Sequence, residues 1–442
     1  MPTLAIKTVG GAVLVLCVSQ GVFAATLRDA VEQTIRNNPD VQAGAAFRQS
    51  TDEAVKVARG GYFPKVDVIA GTGSQRYDSP AIRATSRGVD TMHREVANIR
   101  LSQMLFDGMG VKNEVLRNES RVNSAAYKLA STSEQSALRA AEAYLEVLRN
   151  QELVTLAQEN LKSHEKAFDQ IKMRSDGGFG KKSDEDQMAA RLALAQSNLL
   201  AAEGNLSEAE FNYRREIGVA PEGLSKPDNP PDSLIPASVD EAAALALASN
   251  PIIKSAQADV DAARAQNEAA KSLLYPRLDV EADYAYNRNV DGVEGSQKNG
   301  QVMLMMRWNL FQGGSHKARV GETQLLSVES REIANRVLRE VEQSARLSYN
   351  AYKVAQLRLP SLKQHAVASE QTRDAYLKQF SLGQRTLLDL LDSENEFYTA
   401  RTEYVNGVYT DLYARYRIAA DSGRLLEVLG VPPREETLLG QK

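Results

Sequence analysis

One long stretch of the chain contains no helix-breaking residue. From Val111 to Asp176 the sequence includes neither glycine nor proline, the two residues that most disfavour the interior of an α-helix. A single helix over this range would be roughly 100 Å long, at about 1.5 Å per residue. Because helices of globular proteins average about a dozen residues, this stretch predicts an element that serves an extended structure.

The chain is predicted to turn back after this stretch and form a helical hairpin. The segment Gly177-Gly178-Phe179-Gly180 is typical of a turn, and a second helical pattern follows it. Its apolar residues alternate spacings of four and three, which is the pattern of a coiled-coil seam with alanine at every other position. The seam consists of Met188, Leu192, Ala195, Leu199, Ala202, Leu206, Ala209 and Tyr213.

The same order of motifs occurs twice along the chain. Two Asn-Pro pairs are 212 residues apart, and two strand-like segments that follow a proline have the same offset. A Leu-Phe-x-Gly corner then recurs in each half. Ordered matches of this kind indicate two structural repeats. The matched positions are Pro39 with Pro251, Pro64 with Pro276, and residues 105–108 with residues 310–313.

The repeats set the predicted organisation of the chain. Five of the fourteen prolines fall between the two halves, which indicates an irregular linker there. Pro360 lies inside the outgoing helix of the second hairpin and predicts a kink or break. The segments are a signal peptide (1–24), the first repeat (25–217), a linker (218–237) and the second repeat (238–442), with helical hairpins at 111–217 and 315–430.

Each repeat also predicts two β-strands, at about 65–75 and 95–106 in the first half and about 277–287 and 301–311 in the second. Apolar and polar residues alternate there, as in Leu278, Val280 and Ala282 against Asp279 and Glu281. The polar segments 75–90 and 288–300 would be loops between the strands.

Two environments are compatible with these strands. Their length of about ten residues suits a tilted membrane strand, and aromatic residues gather at one end like an interfacial girdle. The alternative is a small soluble sheet with ordinary core aromatics. The aromatic residues are Tyr62, Phe63, Phe106, Tyr275, Trp308 and Phe311.

The N-terminus predicts export from the cytoplasm. Lys7 precedes a short apolar run, and Val22 and Ala24 occupy the positions that a signal peptidase reads, so cleavage is expected after Ala24. The apolar run is too short to span a bilayer, which needs about 20 residues. Cys17 is the single cysteine and lies inside this segment, so the mature chain is expected to form no disulfide.

Several functional classes find no support in the sequence. The net charge of −4 is small and no long basic block occurs, which argues against nucleic acid as a partner. The four histidines show no metal-ligand spacing, and no nucleophile elbow, phosphate loop or dinucleotide fingerprint is present. We therefore expect no enzyme activity, no bound metal and no cofactor.

The doubled motifs resemble those of TolC-like outer-membrane efflux and secretion channels. The resemblance rests on the Asn-Pro helices, the Tyr-Phe-Pro and Leu-Tyr-Pro strand starts, the Phe-x-Gly corners and the segment Leu382–Asp392. It covers nearly the whole mature chain. It implies a mostly α-helical homotrimer, in which each protomer gives four strands to one twelve-stranded barrel and several helices to a periplasmic tunnel.

Within this family, the segment Tyr144–Arg149, followed by residues 157–161 and His164, looks like the type I secretion branch. That resemblance implies export of a protein, such as a large adhesin, from the cytoplasm to the exterior. The implied partners are outer-membrane lipid, an inner-membrane ABC transporter and a periplasmic adaptor. Two alternatives remain: the duct of a multidrug efflux pump, and a periplasmic coiled-coil scaffold without a pore.

The resemblance also implies two functional sites near the periplasmic tip. Asp389 and Asp392 match acidic positions that would form a ring around the entrance, although solvated helix carboxylates are the alternative. Asp184 and Arg385 match charged positions that hold the aperture closed. Phe380 stands where the best-known members have tyrosine, so it would contribute packing only. The alternative for Asp184 is that it caps a helix beside Ser183.

Overall fold

The structure is a computed structural model that describes residues 26–84, 90–178, 180–231 and 235–439; the predicted signal peptide lies outside these ranges. The helices are α1 (Leu27–Asn37), α2 (Pro39–Arg59), α3 (Pro80–Arg83), α4 (Gly110–Asp176), α5 (Lys182–Ile217), α6 (Val239–Ser249), α7 (Pro251–Lys271), α8 (Ser315–Ser381), α9 (Leu387–Asp421) and α10 (Leu425–Val428). The strands are β1 (Lys65–Tyr77), β2 (Asp90–Phe106), β3 (Arg277–Val290) and β4 (Val293–Arg307).

The two Asn-Pro motifs perform the same structural task in each half. Asn38 caps α2, where its side chain accepts the Asp40 N–H, and Pro39 occupies the first turn, where no N–H is needed. The Asn38 amide also donates to the carbonyl of Glu216, at the end of α5, at 3.4 Å. Asn250 caps α7 in the same way and donates to the carbonyl of Asp421, at the end of α9, at 2.8 Å. We call these two contacts the asparagine clamps.

Two very long helices dominate the chain, as the absence of helix breakers in the first half predicts. Helices α4 and α8 have 67 residues each, and each turns into a partner of about half that length, α5 with 36 residues and α9 with 35. At about 1.5 Å per residue, α4 and α8 each extend roughly 100 Å. The two hairpins contact each other through α4 and α9.

Helix α8 continues without a break through Pro360, so the break that proline suggests does not occur. The flanking residues Leu359 and Leu362 lie over Gly407 of α9, where a β-carbon would come within 2.7 Å of Leu362. This close packing supports the helix where proline removes a backbone donor. Within the described ranges, no helix combines the length and the apolar character needed to cross a bilayer.

The four strands form one antiparallel sheet in the order β1-β2-β3-β4. One face is apolar and open to the surroundings, with Val68 68 %, Val302 75 % and Leu304 66 % exposed. The other face carries ion pairs between strands, such as Arg100 Nε to Asp283 Oδ1 at 2.6 Å. Successive side chains of a strand point to opposite faces, so the alternation in the sequence corresponds to two chemically different surfaces.

The fourth strand differs from its predicted range of 301–311. It runs from Val293 to Arg307, and Arg307 pairs with Arg277 as the last step of the ladder. The residue before Arg277 is Pro276, which has no N–H to continue the pairing. Trp308 therefore leaves the sheet and donates from Nε1 to the carbonyl of Leu274 at 3.3 Å.

The connection between β3 and β4 is shorter than the predicted loop of residues 288–300. Val290 pairs with Val293 across Asp291 and Gly292, whose φ angles are 56° and 78°. Two positive φ angles are the signature of the tight type I′ hairpin turn, which favours Asp-Gly. The Asp291-Gly292 dipeptide is visible in the sequence and favours this turn, whereas the polar composition of residues 288–300 led to the longer predicted loop.

A buried carboxylate of the long helix α4 contacts the C-terminal segment, whose Leu425, Leu426 and Val431 also pack into the main core. Glu134 Oε2 accepts the backbone N–H of Leu425 at 2.8 Å, at the start of α10. Helix α10 has no side-chain cap of its own, so Glu134 takes that role from another helix. Burial raises the pKa of Glu134 to about 7, because the charged form loses its hydration.

We predict that the anchoring of this segment weakens as the pH rises. The unfolded chain loses the Glu134 proton near pH 4.5 and the folded chain near pH 7. The contribution of Glu134 to the free energy of unfolding is therefore complete below pH 4.5 and is lost as the pH rises to about 7. The loss corresponds to about 3 kcal/mol. Hydrogen exchange of residues 425–431 between pH 5 and 8 measures it.

The variant Glu134→Gln keeps an acceptor oxygen but does not titrate, so its exchange should lose this pH dependence after correction for the intrinsic rate. Glu159→Gln is the matched control, because Glu159 is exposed on the same helix. An unchanged pH slope in Glu134→Gln would assign the effect to another group.

Candidate functional site

The end of the two hairpins farthest from the sheet is held by a small apolar cluster. It joins the first hairpin, α4 and α5, to the second, α8 and α9, and its buried members are large apolar side chains. We call it the tip cluster. It consists of Ile171, Met188, Phe380, Leu387, Leu390 and Leu391, with Ala167 and Phe168 packed against it.

Phe380 is a packing residue of the tip cluster. Its side chain is buried at 7 % exposure, one residue before the end of α8, and contacts both hairpins through the cluster. The guanidinium of Arg174 on α4 lies 5.4 Å from its ring centroid, within the range of a cation–π contact. Phe380 therefore connects the two hairpins without a hydroxyl.

Arg385 is held by its own hairpin in the described part of the chain. Its guanidinium lies 4.2 Å from the ring centroid of Tyr376, and Nε donates to Gln379 Oε1 at 3.0 Å. A terminal nitrogen lies 4.0 Å from Asp389 Oδ2. Tyr376 is one helical turn before Phe380, so a tyrosine does accompany the arginine, although not at the position of Phe380, where the best-known members of the resembled family have one.

Asp184 lies in the first turn of α5 and does not cap it. The N-cap position is Lys181, and its carbonyl accepts the backbone N–H of Asp184 at 3.0 Å. Ser183 Oγ donates to Asp184 Oδ1 at 3.4 Å. Among the described residues of one chain, Asp184 and Arg385 do not form a salt bridge.

The two predicted entrance acids occupy different environments. Asp389 is the third residue of α9 and forms a capping box with Thr386, whose hydroxyl donates to Asp389 Oδ2 at 2.8 Å. The Thr386 hydroxyl, followed by its backbone N–H, lowers the pKa of Asp389. Asp392 is 66 % exposed at its side chain and lies 3.9 Å from Arg191 of α5. The Asp389 carboxylate is thus engaged in the capping box of α9, whereas the Asp392 carboxylate is exposed to solvent.

We predict that the two acids respond differently to neutralisation. In the channel that the family resemblance implies, Asp392→Asn should lower the cation selectivity toward unity while leaving α9 intact, because it removes an exposed charge. Asp389→Asn should also expose the first turn of α9 to faster hydrogen exchange, because the capping box is weakened. Reversal potentials in a salt gradient and exchange of residues 387–391 measure the two effects. Equal hydrogen exchange of residues 387–391 in both variants would contradict the capping role of Asp389.

Sequence reasoning missed three tip residues that the structure brings into contact with the predicted ones. Arg191 lies beside Asp392, Tyr376 stacks on Arg385, and Met188 is fully buried against Phe380 in the tip cluster. The signal for Met188 was its place in the coiled-coil seam. Tyr376 precedes Phe380 by four residues and so shares its helix face.

Comparison with known proteins identifies the family of this chain. The family model described as "Outer membrane efflux protein" matches residues 30–219 and 242–424. The chain belongs to this family. The matched ranges leave residues 220–241 between them, and members of the family are channels rather than enzymes.

Individual relatives agree with this assignment. Outer membrane efflux protein BepC of Brucella suis is 24 % identical, over 92 % of this chain and 87 % of its own length. Alkaline protease secretion protein AprF of Pseudomonas aeruginosa is 25 % identical, over 94 % of this chain and 88 % of its own. The outer-membrane channel CmeC of Campylobacter jejuni has the same fold, with a TM-score of 0.78 at 14 % identity over 96 % of this chain and 94 % of its own.

The chain is therefore an outer-membrane channel whose helical tunnel extends into the periplasm. The predicted family, the mostly helical fold and the location are confirmed. Channels of this family are trimeric and work with adaptors and inner-membrane transporters. The tip cluster lies at the end of the helices opposite the sheet, which is the periplasmic end of such a channel.

Proposed function

We propose that this channel is the outer-membrane duct of a type I secretion system. It would pass a protein, such as a large adhesin, to the exterior together with an inner-membrane ABC transporter and a periplasmic adaptor. The observation that carries the proposal is the match to a protease secretion protein over 94 % of this chain. The segment Tyr144–Arg149, which resembles the same branch, supports it.

The assembly that we propose is a homotrimer with a twelve-stranded barrel. Strands β1 and β4 are the outer strands of the sheet in one chain, and an unpaired strand edge in lipid costs several kcal/mol for each backbone group. Pairing β4 of one copy with β1 of the next satisfies both edges. Mass measurement in detergent should give three copies, and a stable monomer in a bilayer would contradict this assembly.

A second surface supports the same assembly. Helix α8 exposes apolar residues at spacings of seven and fourteen, the repeat of a coiled-coil seam that lacks its partner helix. These residues are Leu326, Ile333, Leu347 and Val354, which are 38 %, 43 %, 55 % and 47 % exposed. Helix α5 of a neighbouring copy, with exposed Leu194, Leu200 and Phe211, is the partner that we propose.

Reconstitution in a cell distinguishes secretion from drug efflux. The chain would replace the resident channel of a bacterium that carries a type I exporter with its adaptor, and the amount of exported protein in the medium would be measured. Resistance to antibiotics would be measured in the same cells. Restored protein export without restored resistance supports our proposal.

The efflux alternative has one observation in its favour, namely the match to outer membrane efflux protein BepC over 92 % of this chain. Restored resistance without export of protein would select it. The scaffold without a pore is not compatible with membership of a channel family.

The cargo of the proposed secretion system can be identified as the protein that accumulates inside cells lacking this channel.

At the tip, we propose that Asp184 of one copy pairs with Arg385 of the next and holds the aperture closed. A partly exposed pair contributes about 0–1 kcal/mol, and three symmetric copies act together on one opening. Asp184→Ala and Arg385→Ala should each raise the conductance in planar bilayers, and the double variant should add little. Additive effects of the two changes would show that the residues act separately.

A further inference from the structure

The turn of the second β-hairpin reaches across the sheet to the first β-hairpin. Helices join the sheet at the starts of β1 and β3 and at the ends of β2 and β4, so both hairpin turns lie at the opposite end. There, Gln75 Nε2 of β1 donates to Asp291 Oδ1 of the β3–β4 turn at 3.0 Å, and the Asp291 N–H donates to Gln75 Oε1 at 3.1 Å. We call this pair of hydrogen bonds the outer clasp.

A bend in β3 aims this turn toward β1. The ladder between β2 and β3 stops at the pair Glu95–Arg288, and the pairing of β3 with β4 is irregular just beyond it, at Asn289. The φ angle of Asn289 is 51°, and its side chain donates to the carbonyl of His93 at 2.9 Å and accepts the Gly295 N–H at 3.0 Å. Irregularities of this kind bend a strand and re-aim it, so the direction of the turn is fixed by Asn289.

The connection of the first β-hairpin covers the same turn. Helix α3 is capped by Ser79, whose Oγ accepts the N–H of Ile82 at 3.3 Å. A β-carbon at Gly292 would lie 2.8 Å from Ile82 Cδ1 and 3.1 Å from Tyr77 Cδ1, so both side chains pack directly on this glycine. The two β-hairpins are therefore joined by an apolar contact beside the outer clasp.

The outer clasp lies on the polar face of the sheet. Asp67 of β1 stands opposite Arg100 of β2, and the ion pair of Arg100 with Asp283 belongs to that face. Gln75 is an even number of residues after Asp67 on the same strand, and because side chains alternate along a strand, it points to the same side. In the proposed barrel the apolar face contacts lipid, so the polar face lines the lumen. The turn that Gln75 holds therefore leans over the outer opening of the lumen.

We propose that the outer clasp narrows the exit of the channel and opens to let a large cargo leave. The proposal rests on the proposed barrel, in which three clasps surround one lumen. Both hydrogen bonds are exposed, and water competes for exposed donors and acceptors, so the clasp opens without disturbing the strand ladders. Gln75 and Asp291, with Asn289 aiming the turn, then set the size of what passes outward.

Hydrogen exchange of the intact protein tests whether the outer clasp holds the turn. Gln75→Ala removes both hydrogen bonds to Asp291, so exchange of residues 289–292 should become about twofold to tenfold faster, the range for one hydrogen bond. Gln297→Ala is the matched control, because Gln297 is exposed at the same end of the same face and takes no part in the clasp. Equal exchange in the two variants would overturn the proposal.

A reversible crosslink tests the role of the clasp in passage. Gln75→Cys with Asp291→Cys supplies two thiols, and the single native cysteine, Cys17, precedes the predicted cleavage point. A short, reducible bis-thiosulfonate reagent joins them, because it tolerates a larger separation than a direct disulfide. In planar bilayers, the largest polyethylene glycol that enters the channel from the outer side should become smaller after crosslinking, and reductant should restore the original limit.

Gly73→Cys with Arg94→Cys is the matched control for this crosslink. The two residues stand opposite each other in the β1–β2 ladder, and a β-carbon at Gly73 meets no atom within 4 Å. The reagent there adds the same bulk to the polar face but joins strands that are already paired, so the size limit should not change. Complete crosslinking of the clasp pair without a smaller limit, or equal narrowing by both pairs, would overturn the proposal.

Protein export from cells, measured with the same crosslinked pair, separates this proposal from the proposed function. If crosslinking stops export and reductant restores it, both stand. If the unmodified chain restores no export but the crosslink lowers the polymer limit, the clasp stands and the secretion role fails. Export at the full rate through crosslinked channels would refute the clasp alone.

Discussion

Replacing Phe380 with alanine is expected to loosen the tip and raise the conductance of the closed channel. The ring is buried among residues of both hairpins, and truncating a buried phenylalanine typically costs about 3–5 kcal/mol. Because three copies surround one aperture in the proposed trimer, the packing of Phe380 is lost at three places around the same opening. Single-channel recording in planar bilayers measures the change in conductance.

Leu382→Ala is the control for this variant. Leu382 lies two residues away and is 72 % exposed, so its truncation removes little buried surface. Its conductance should match that of the unmodified channel. If Phe380→Ala also leaves the conductance unchanged while thermal unfolding shows the expected loss of stability, the tip cluster supports the hairpins but does not control the aperture.

The second large effect is expected at Gly423, two residues after the end of α9. Its φ angle is +67°, and a β-carbon there would lie 2.4 Å from Cδ of Pro251. Gly423→Ala therefore combines left-handed backbone strain with a clash that the rigid proline ring cannot relieve. Each effect costs about 1–3 kcal/mol, so we expect a loss of about 3 kcal/mol and separation of α9 from α7.

Gly218→Ala is the matched control, because Gly218 follows α5 at the corresponding junction of the first repeat. Its φ angle is +93°, but no atom lies within 4 Å of its β-carbon position. It should show the backbone strain without the clash. Denaturant unfolding of the two variants measures the difference. Equal losses in the free energy of unfolding would show that the clash with Pro251 does not contribute.

The sequence predicted the helical part of the fold well because that part depends on local composition. The absence of glycine and proline from 111–176 is sufficient for α4, and each strand that follows a Phe-Pro or Tyr-Pro pair begins at the residue immediately after that proline. The end of β4 depends on pairing with β3. No local pattern contains that information, so Trp308 to Phe311 were wrongly assigned to the strand.

The tip was less predictable for a related reason. Phe380, Asp389 and Asp392 have recognisable positions, but their partners are set by how two hairpins pack. The sequence alone is compatible with Asp389 as a pore acid or as a capping residue. The structure shows that Asp389 forms the capping box of α9 with Thr386. The partner that we propose for Asp184 lies in another copy of the chain, and one protomer does not contain that contact.

The asparagine clamps make each hairpin a lever. Asn250 fixes the end of α9 against the start of α7, so the rest of the hairpin extends as an arm from that point. The 35 residues of α9 form an arm of about 50 Å. A rotation of about 5° at the clamp then moves the tip by about 4–5 Å. Adjustments too small to disturb the clamp hydrogen bonds are therefore amplified at the aperture.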